Sequence, residues 1–279
     1  AVQIDGRTEV IAHLGYPTHT FKSPMIYNPY FEAEGINAVV VPFACRPESF
    51  PQGLRSLFQM DNVRGALITM PHKVSVLDLL DEVTPTVRVA GACNAVKRLP
   101  DGRLAGDQFD GAGFVRGMQR KGVQLAATRA LVVGSGGVGC AIAASLAQAG
   151  IAELALFGVN GASAGAPAGR LRQEYPQLPV STGSADPHGF GLVVNATPLG
   201  MNPGDPLPFD VDRLQPGTMV GEVVMRSETT ALLAAAQARG CRVQVGTDML
   251  FEMIPAYLEF FGLPSTTAER LRSLARLQY

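Results

Sequence analysis

The sequence predicts an α/β protein of two domains, and three observations lead to that prediction. Short β-branched runs alternate with longer helical patterns, which favours parallel sheets covered by helices. A glycine-rich turn follows one such run near the middle of the 279-residue chain. One hairpin pattern interrupts the alternation ahead of that turn. The chain therefore reads as an α/β segment, a hairpin and a second α/β segment.

The strands are predicted from short apolar runs bounded by turn residues, without the alternation of a half-exposed strand. Three runs precede the hairpin and five follow it: Val10–Leu14, Asn37–Pro42 and Ala66–Met70, then Ala130–Val133, Leu154–Phe157, Leu192–Asn195, Met219–Val224 and Arg242–Val245.

The hairpin is predicted by two short runs, Cys93–Val96 and Arg103–Gly106, on either side of a Pro-Asp-Gly turn. We expect the chain to cross to the second domain near Asp110. The last helical patterns, about Met249–Phe261 and Ser265–Leu277, have mixed faces and are expected to pack back on the first domain. The predicted domains are therefore 1–109 with 247–279, and 110–246.

Composition excludes several classes of protein. The 23 Lys and Arg nearly balance the 24 Asp and Glu, so no basic field is available for nucleic acid or an anionic membrane. No apolar run reaches the length of about 18 residues that indicates a membrane span, and no export signal is recognisable at the N-terminus. Four dispersed cysteines without a CxxC pair indicate reduced thiols, no metal site and a cytoplasmic location. A small molecule is the expected partner.

The glycine-rich turn, GSGGVG at 134–139, follows a predicted strand and opens an alanine-rich helix. Glycines so placed permit a tight turn, a close approach of backbone N–H groups to a pyrophosphate, and close packing of helix on strand. This context predicts a Rossmann-type dinucleotide-binding domain rather than an ordinary strand–helix turn. The residues expected at the dinucleotide are Gly134, Ser135, Gly136, Gly137 and Val138.

The choice between NAD and NADP is expected at the end of the next strand, at Gly158, Val159 and Asn160. A carboxylate there would hold the ribose of NAD, and an arginine would hold the phosphate of NADP. Neither is present, although Asn160 could bond a ribose and Arg170 could reach in from the next helix. The missing arginine favours NAD, and both cofactors stay open.

Lys73 ends the apolar run GALITMPHK, and two interpretations of it compete. It could be a solvated residue in the first turn of a helix that starts at His72. A cation at a helix N-terminus meets a dipole of the same sign, however, which suits a proton-transferring group better than a structural one.

Asp110 could cap a helix and Asn94 could hold a turn. Together with the nucleotide turn, these residues indicate a hydride-transfer site in which a Lys–Asp pair handles the proton of an alcohol.

The chain resembles the shikimate and quinate dehydrogenase family over nearly its whole length. The motifs that carry this resemblance keep the family's order: Pro17 with Lys22-Ser-Pro24, Thr69-Met-Pro-His-Lys73, Gly91-Ala-Cys-Asn94, Gly106-Asp-Gln-Phe-Asp110, Gly134-Ser-Gly-Gly137, Asn195-Ala-Thr-Pro-Leu-Gly-Met201, Thr230-Ala-Leu-Leu233 and Gly246-Thr-Asp-Met-Leu250.

The resemblance implies a two-domain enzyme with its active-site cleft between a substrate-binding, catalytic domain and a Rossmann domain. It would interconvert a ring hydroxyl and a ketone on a cyclic carboxylate, using NAD or NADP. Lys73 and Asp110 become the catalytic dyad, Asn94 orients a substrate hydroxyl, Thr69 lines the pocket, and Ser23 contacts the carboxylate. The implied cofactor contacts also include Asn195, Ala196, Thr197 and Met201, near the nicotinamide, and Gly246.

Four departures from the family pattern replace polar pocket residues by apolar ones: Phe21, Leu67, Met225 and Met253. Because a site built for hydroxyl groups discriminates through its polar partners, their loss changes the preferred substrate. We expect poor or absent shikimate turnover and a less hydroxylated or bulkier ring acid as substrate. The alternatives are a catalytically silent relative that binds a nucleotide or metabolite as a regulator, and a dehydrogenase of a folate-like substrate. A homodimer is left open.

Overall fold

The computed structural model describes residues 3–158, 161–226 and 229–278. Within them the chain divides into two compact units. Unit 1 contains the residues up to Val87, Ala92–Phe109 and the chain from Ile254 onward, and unit 2 contains Arg88–Gly91 and Asp110–Met253. The predicted domain ranges differ from this division at residues 88–91 and 247–253.

Twelve strands lie within the described residues, six in each unit. They are β1 (Glu9–Gly15), β2 (Ala38–Ala44), β3 (Val63–Ile68), β4 (Glu82–Val83), β5 (Ala95–Arg98), β6 (Leu104–Asp107), β7 (Arg129–Val133), β8 (Glu153–Phe157), β9 (Val180–Thr182), β10 (Leu192–Asn195), β11 (Met219–Glu222) and β12 (Arg242–Gln244).

Ten α-helices lie within the same residues. They are α1 (Pro24–Glu34), α2 (Phe50–Leu57), α3 (Pro85–Ala90), α4 (Asp110–Arg120), α5 (Gly137–Gln148), α6 (Gly165–Glu174), α7 (Ala231–Ala238), α8 (Asp248–Glu252), α9 (Ile254–Phe260) and α10 (Ala268–Leu274).

The sheet of unit 1 has the order β2-β1-β3-β5-β6-β4. β1 pairs with β2 and β3 in parallel, so the carboxyl ends of these three strands lie at one edge. β5 and β6 form the predicted antiparallel hairpin, which is confirmed. Since loops at the carboxyl ends of parallel strands commonly form ligand sites, the loops after β1 and β3 are the first place to look in this unit.

The sheet of unit 2 has the order β12-β11-β10-β7-β8-β9, and every pairing is parallel. Counted from β7, this is the 3-2-1-4-5-6 strand order of a doubly wound sheet. Successive strands are added on one side of β7 up to β9 and on its other side from β10, so the strand order reverses between β7 and β10. The central strands are buried on both faces, which explains their unbroken apolar sequences. The reversal point lies beside the glycine turn that follows β7.

The eight runs predicted as strands are all strands in the structure, with ends shifted by up to three residues. β4 and β9 were missed because two and three residues are too few to carry a pattern. The predicted helix Met249–Phe261 is two helices, α8 and α9, separated at Met253. α10 packs on α1 within unit 1, where Arg270 bonds Glu34 at 2.5 and 2.9 Å.

Candidate active site

The loops after β1 and β3 in unit 1 are joined through their backbones. Thr69 N donates to Leu14 O at 3.0 Å, and Tyr16 N donates to Met70 O at 3.1 Å. Gly15 permits this approach, since a Cβ there would lie 2.5 Å from Thr69 Cγ2 and 2.8 Å from the Phe21 ring. The predicted pocket residues Thr69 and Phe21 therefore meet at the end of β1.

Ser23 stands at the N-cap of α1, but its side chain does not cap the helix. Its hydroxyl lies 2.6 Å from Nδ1 of His13, a residue of β1 that the sequence analysis did not single out. The His13 ring stacks on the ring of Phe21 with centroids 4.2 Å apart. We call these three residues, His13, Phe21 and Ser23, the His13 cluster. The signal that could have found it is a lone histidine in the otherwise apolar strand EVIAHLG.

The environment of His13 disfavours a second proton on its ring. Burial, and next the charge of Lys73, lower the pKa of His13 to about 4. The imidazole is therefore neutral at physiological pH, with one nitrogen protonated. Leu67 stands beside His13 in the register of β1 and β3 and is itself buried, so the neighbouring strand presents an apolar side chain there.

The loop that carries Lys73 is anchored by the residue before it. The His72 ring is fully buried, stacks on Phe50 with centroids 4.0 Å apart, and bonds Cys45 O through Nε2 at 2.7 Å. Burial lowers the pKa of His72. The backbone O of Lys73 accepts from Cys93 N at 2.9 Å. The predicted α-helix does not begin at His72; a short 3-10 helix follows from Ser75 instead.

Asn94 joins three separate backbone segments and does not close a local turn. Its Oδ1 accepts from Phe109 N at 2.9 Å, and its own backbone accepts from Ile68 N at 2.9 Å and donates to Asp107 O at 3.1 Å. Asn94 is almost fully buried. It therefore fixes both the end of β3 and the residue directly before Asp110 in the chain.

Three of the predicted catalytic and substrate-binding residues belong to unit 2. Asp110 is the first residue of α4, Met253 follows α8, and Met225 follows β11 with 45% of its surface exposed. A Cβ at Gly113 would lie 2.8 Å from Met253 Cβ, so Met253 packs against α4. Unit 1 thus holds Phe21, Ser23, Leu67, Thr69, Lys73 and Asn94 of the predicted set.

The strand–turn–helix arrangement of the glycine turn is confirmed by β7, Gly134 and α5. Gly134 has φ +116°, and a Cβ there would lie 2.7 Å from the Ala196 backbone. A Cβ on Gly139 would lie 2.0 Å from Gly134 O. Gly136 and Gly137, in contrast, are exposed, with no atom within 4 Å of an added Cβ. The N-terminus of α5 is open and has no side-chain cap, as a bound diphosphate requires.

The segment after β10 lies against this turn. Ala196 N donates to Val133 O at 2.7 Å. Asn195 Oδ1 accepts from Thr197 N at 3.0 Å and from Thr197 Oγ1 at 2.6 Å, and Asn195 Nδ2 donates to Leu199 O at 2.9 Å. Asn195 and Thr197 therefore stabilise their own turn, and Ala196 presents its backbone to the glycines.

The other predicted cofactor residues are spread along the carboxyl ends of the unit 2 strands. Gly158 follows β8 and is buried, Val138 is half-buried in α5, and Met201 is 47% exposed. A Cβ on Gly246, after β12, would lie 2.2 Å from Val224 O. Ser135 Oγ lies 2.9 Å from Ser163 Oγ, which links the glycine turn to the segment after β8. Val159 and Asn160 lie outside the described residues.

One buried carboxylate of unit 2, that of Glu222, was not predicted. Glu222 of β11 stands beside Asn195 in the sheet and is 1% exposed. Burial raises the pKa of Glu222, while Thr230 donates to its Oε1 at 2.6 Å. Arg170, which was expected to reach in from the helix after β8, donates from Nε to Val89 O at 2.9 Å. A charged residue in the apolar run MVGEVV was the available signal for Glu222.

The described residues contain neither a metal-binding cluster nor a membrane-spanning helix. In the chain from 3 to 278, without 159–160 and 227–228, no group of His, Cys, Asp and Glu could hold a metal ion. None of the helices described is both long and apolar enough to cross a bilayer.

Fold and glycine turn together define a Rossmann-type dinucleotide-binding protein with a separate α/β unit. The family model for the shikimate dehydrogenase substrate binding domain matches residues 14–96. The NADP(+) shikimate dehydrogenase of Rubrobacter xylanophilus is 36% identical over 98% of both chains, and that of Acidiphilium cryptum is 34% identical over 96% of both. The chain belongs to the shikimate/quinate dehydrogenase family.

Solved structures agree with this assignment. Shikimate 5-dehydrogenase from Listeria monocytogenes, in complex with shikimate and NAD, superimposes with a TM-score of 0.90 at 25% identity and 98% coverage of both chains. Quinate dehydrogenase from Corynebacterium glutamicum, in complex with NAD, gives a TM-score of 0.83 at 28% identity, covering 96% of this chain and 98% of that one.

Proposed function

We propose that this protein is an NAD- or NADP-dependent dehydrogenase that interconverts a ring hydroxyl and a ketone on a cyclic carboxylate of the shikimate or quinate type. The observation that carries the proposal is the open N-terminus of α5, where Gly136 and Gly137 leave backbone N–H groups accessible to a diphosphate. The names of the relatives, shikimate dehydrogenase (NADP(+)), support the reaction class.

Lys73 and Asp110 are proposed as the pair that handles the proton of the substrate hydroxyl. The dinucleotide, when bound, supplies the hydride acceptor or donor. An ammonium group at the reacting oxygen can exchange a proton with it and stabilise developing negative charge. The rigid backing of the Lys73 loop by His72 and Cys93 suits this role, because proton transfer requires a fixed donor position.

Asn94 and Thr69 are proposed to orient the ring, and Ser23 to bind the substrate carboxylate. In unit 2, the backbone of 134–138 and of Ala196 would hold the dinucleotide. Both NAD and NADP fit a site that depends on backbone groups. The names of the relatives favour NADP, whereas the missing arginine after β8 favours NAD.

The preference for the ring is proposed to differ from that of a shikimate dehydrogenase. The His13 cluster places the Phe21 ring where the family pattern has a serine, and buried Leu67 stands beside it. Each hydrogen bond lost to a charged carboxylate is worth roughly 1.5–3 kcal/mol, so two losses weaken shikimate by orders of magnitude. A ring acid with fewer hydroxyl groups or more apolar surface fits these side chains better.

The second candidate is a catalytically silent relative that binds a nucleotide or metabolite as a regulator. It is favoured by apolar residues at four positions where the family pattern has polar ones: Phe21, Leu67, Met225 and Met253. Retention of Lys73, Asp110 and Asn94 favours the enzyme, because a regulator has no need of the proton-transfer pair.

The test is turnover of a panel of hydroxylated ring acids with NAD and NADP, in the wild type and in Lys73→Ala. We expect reduction of the cofactor in the wild type and a loss of kcat of about 10²–10⁴-fold in the variant, as for removal of an acid–base group. Lys121→Ala is the matched control, since Lys121 pairs with Asp248 at 3.2 Å in unit 2. Turnover that survives in Lys73→Ala would remove the mechanism, and silence across the panel would favour the regulator.

A further inference from the structure

The hydroxyl of Ser23 has an unusual hydrogen-bond partner for a residue at a helix N-terminus. An N-cap serine ordinarily accepts a hydrogen bond from a backbone N–H of the first turn. Ser23 makes no such bond and instead lies 2.6 Å from His13 Nδ1, ten residues away on β1. Its hydroxyl is therefore held by the sheet, not by its own helix.

The His13 ring is itself held in place. Phe21 stacks on it with centroids 4.2 Å apart and an interplanar angle of 29°. Within the described part of the chain, the His13 ring forms a hydrogen bond with Ser23 Oγ. Stacking on one face and a hydrogen bond at one edge leave the imidazole a single orientation, so Nδ1 stays directed at Ser23 Oγ.

The position of the proton between His13 Nδ1 and Ser23 Oγ determines what the Ser23 hydroxyl can bind. A serine hydroxyl has one proton and two lone pairs, and a neutral imidazole has one proton on two nitrogens. If Nδ1 accepted, the Ser23 proton would be used up, and Oγ would turn lone pairs toward an anionic ligand. If Nδ1–H donates, Oγ keeps its proton for that ligand. A carboxylate-binding Ser23 is compatible with the second arrangement only.

We propose that His13 is a positioning residue that donates its Nδ1–H to Ser23 Oγ and so directs the Ser23 proton to an anionic oxygen of the substrate. The inference rests on the proposed function, in which Ser23 binds the substrate carboxylate. It accounts for how one serine serves where the family pattern has two, because Phe21, which stands at the other serine position, holds the histidine. Phe21 thus removes one serine hydroxyl from the family pattern and, by stacking on His13, helps to orient the hydroxyl of Ser23.

The first test is the tautomer of His13, measured by ¹⁵N NMR on the full chain with labelled histidine and assigned by loss of its signals in His13→Asn. We expect the Nδ1-protonated form at pH 7–8, and a change in the Nδ1 shift in Ser23→Ala. Protonation at Nε2, or averaging of the two forms, overturns the proposal. This readout does not depend on turnover.

The second test is steady-state kinetics with the best ring acid of the panel, shikimate included. His13→Leu removes the donor, and we expect KM for the acid to rise about ten- to hundredfold while kcat stays nearly constant. His13→Asn, which keeps an N–H near the Nδ1 position, should recover most of that loss. In a Ser23→Ala background, His13→Leu should add little, because His13 acts through Ser23.

The control is His188→Leu, which removes an exposed histidine of unit 2 and should leave KM and kcat unchanged. An unaltered KM in His13→Leu, or full additivity with Ser23→Ala, contradicts the proposal. If the wild type turns over none of the acids, the proposed function falls, and the His13 tautomer alone decides whether His13 donates to Ser23.

Discussion

The glycine turn of unit 2 and the His13 cluster of unit 1 would meet their ligands with different parts of the chain. The turn offers backbone N–H groups at Gly136 and Gly137, where no side chain intervenes. The cluster offers an aromatic ring, an imidazole and one hydroxyl. Backbone recognition survives substitutions that preserve the turn and leave its N–H groups accessible, whereas side-chain recognition changes with each residue. A family can therefore keep its cofactor class while its ring-acid specificity diverges.

The largest effect on the glycine turn is expected from Gly139→Ala. The added Cβ would lie 2.0 Å from Gly134 O, a backbone atom that cannot move without opening the turn. We expect unit 2 to lose about 3 kcal/mol or more of its stability, and dinucleotide binding with it. Urea unfolding and cofactor titration measure both effects.

Gly169→Ala is the matched control, because a Cβ at Gly169 in α6 meets nothing within 4 Å. It should raise the stability by roughly 0.5–1 kcal/mol, because alanine is favoured over glycine in a helix interior, and leave the dinucleotide affinity close to that of the wild type. Equal stability of Gly139→Ala and Gly169→Ala would show that the turn does not depend on this glycine.

The next effect concerns His13 of unit 1, which makes the free energy of unfolding depend on pH. The pKa of His13 is about 4 when folded and near 6.5 when unfolded. Because the unfolded chain binds the proton more readily, the stability from neutral His13 is complete above pH 6.5 and is lost as the pH falls toward 4. This contribution amounts to roughly 2 kcal/mol between pH 8 and pH 5.

The measurement is the difference in unfolding free energy between the wild type and His13→Asn at several pH values. The variant should lose less stability on acidification than the wild type. His72, whose pKa is also lowered, is present in both proteins and cancels in the difference. Parallel curves would contradict the assigned environment of His13.

The smallest effect is expected for Gly136→Ala. Its Cβ enters open space, so the fold should be retained, but the methyl group stands where the backbone would approach the pyrophosphate. We expect a rise of about tenfold in the dissociation constant for NAD or NADP, equivalent to 1.4 kcal/mol. Calorimetric titration measures it, and unchanged affinity would place the diphosphate elsewhere.

The sequence was sufficient for features whose signal is local. The central strands of unit 2 were predicted because burial on both faces makes their sequences apolar throughout, and the glycine turn was predicted because its residues are consecutive. The β5–β6 hairpin was identified from Pro-Asp-Gly in its connection. In each case the physical constraint acts on neighbouring residues.

The features that were missed depend on residues brought together by folding. His13 and Ser23 are ten residues apart and meet because the N-terminus of α1 returns to the end of β1. The surroundings of Glu222 are formed by Asn195, its neighbour on β10, and by Thr230, which donates a hydrogen bond to it. The break at Met253 differs, because Pro255 in the first turn of α9 lacks the N–H that would continue the helix, and this local signal was overlooked. Tertiary contacts decided the other two.

The proposed change of ring-acid preference, with cofactor binding retained, is tested most directly by Phe21→Ser combined with Leu67→Asn. Both changes return the polar residues of the family pattern. We predict that kcat/KM for shikimate rises at least about tenfold, with KM for the dinucleotide within about twofold of the wild-type value. A wild type that already prefers shikimate, together with a double variant that turns it over less efficiently, would contradict the account.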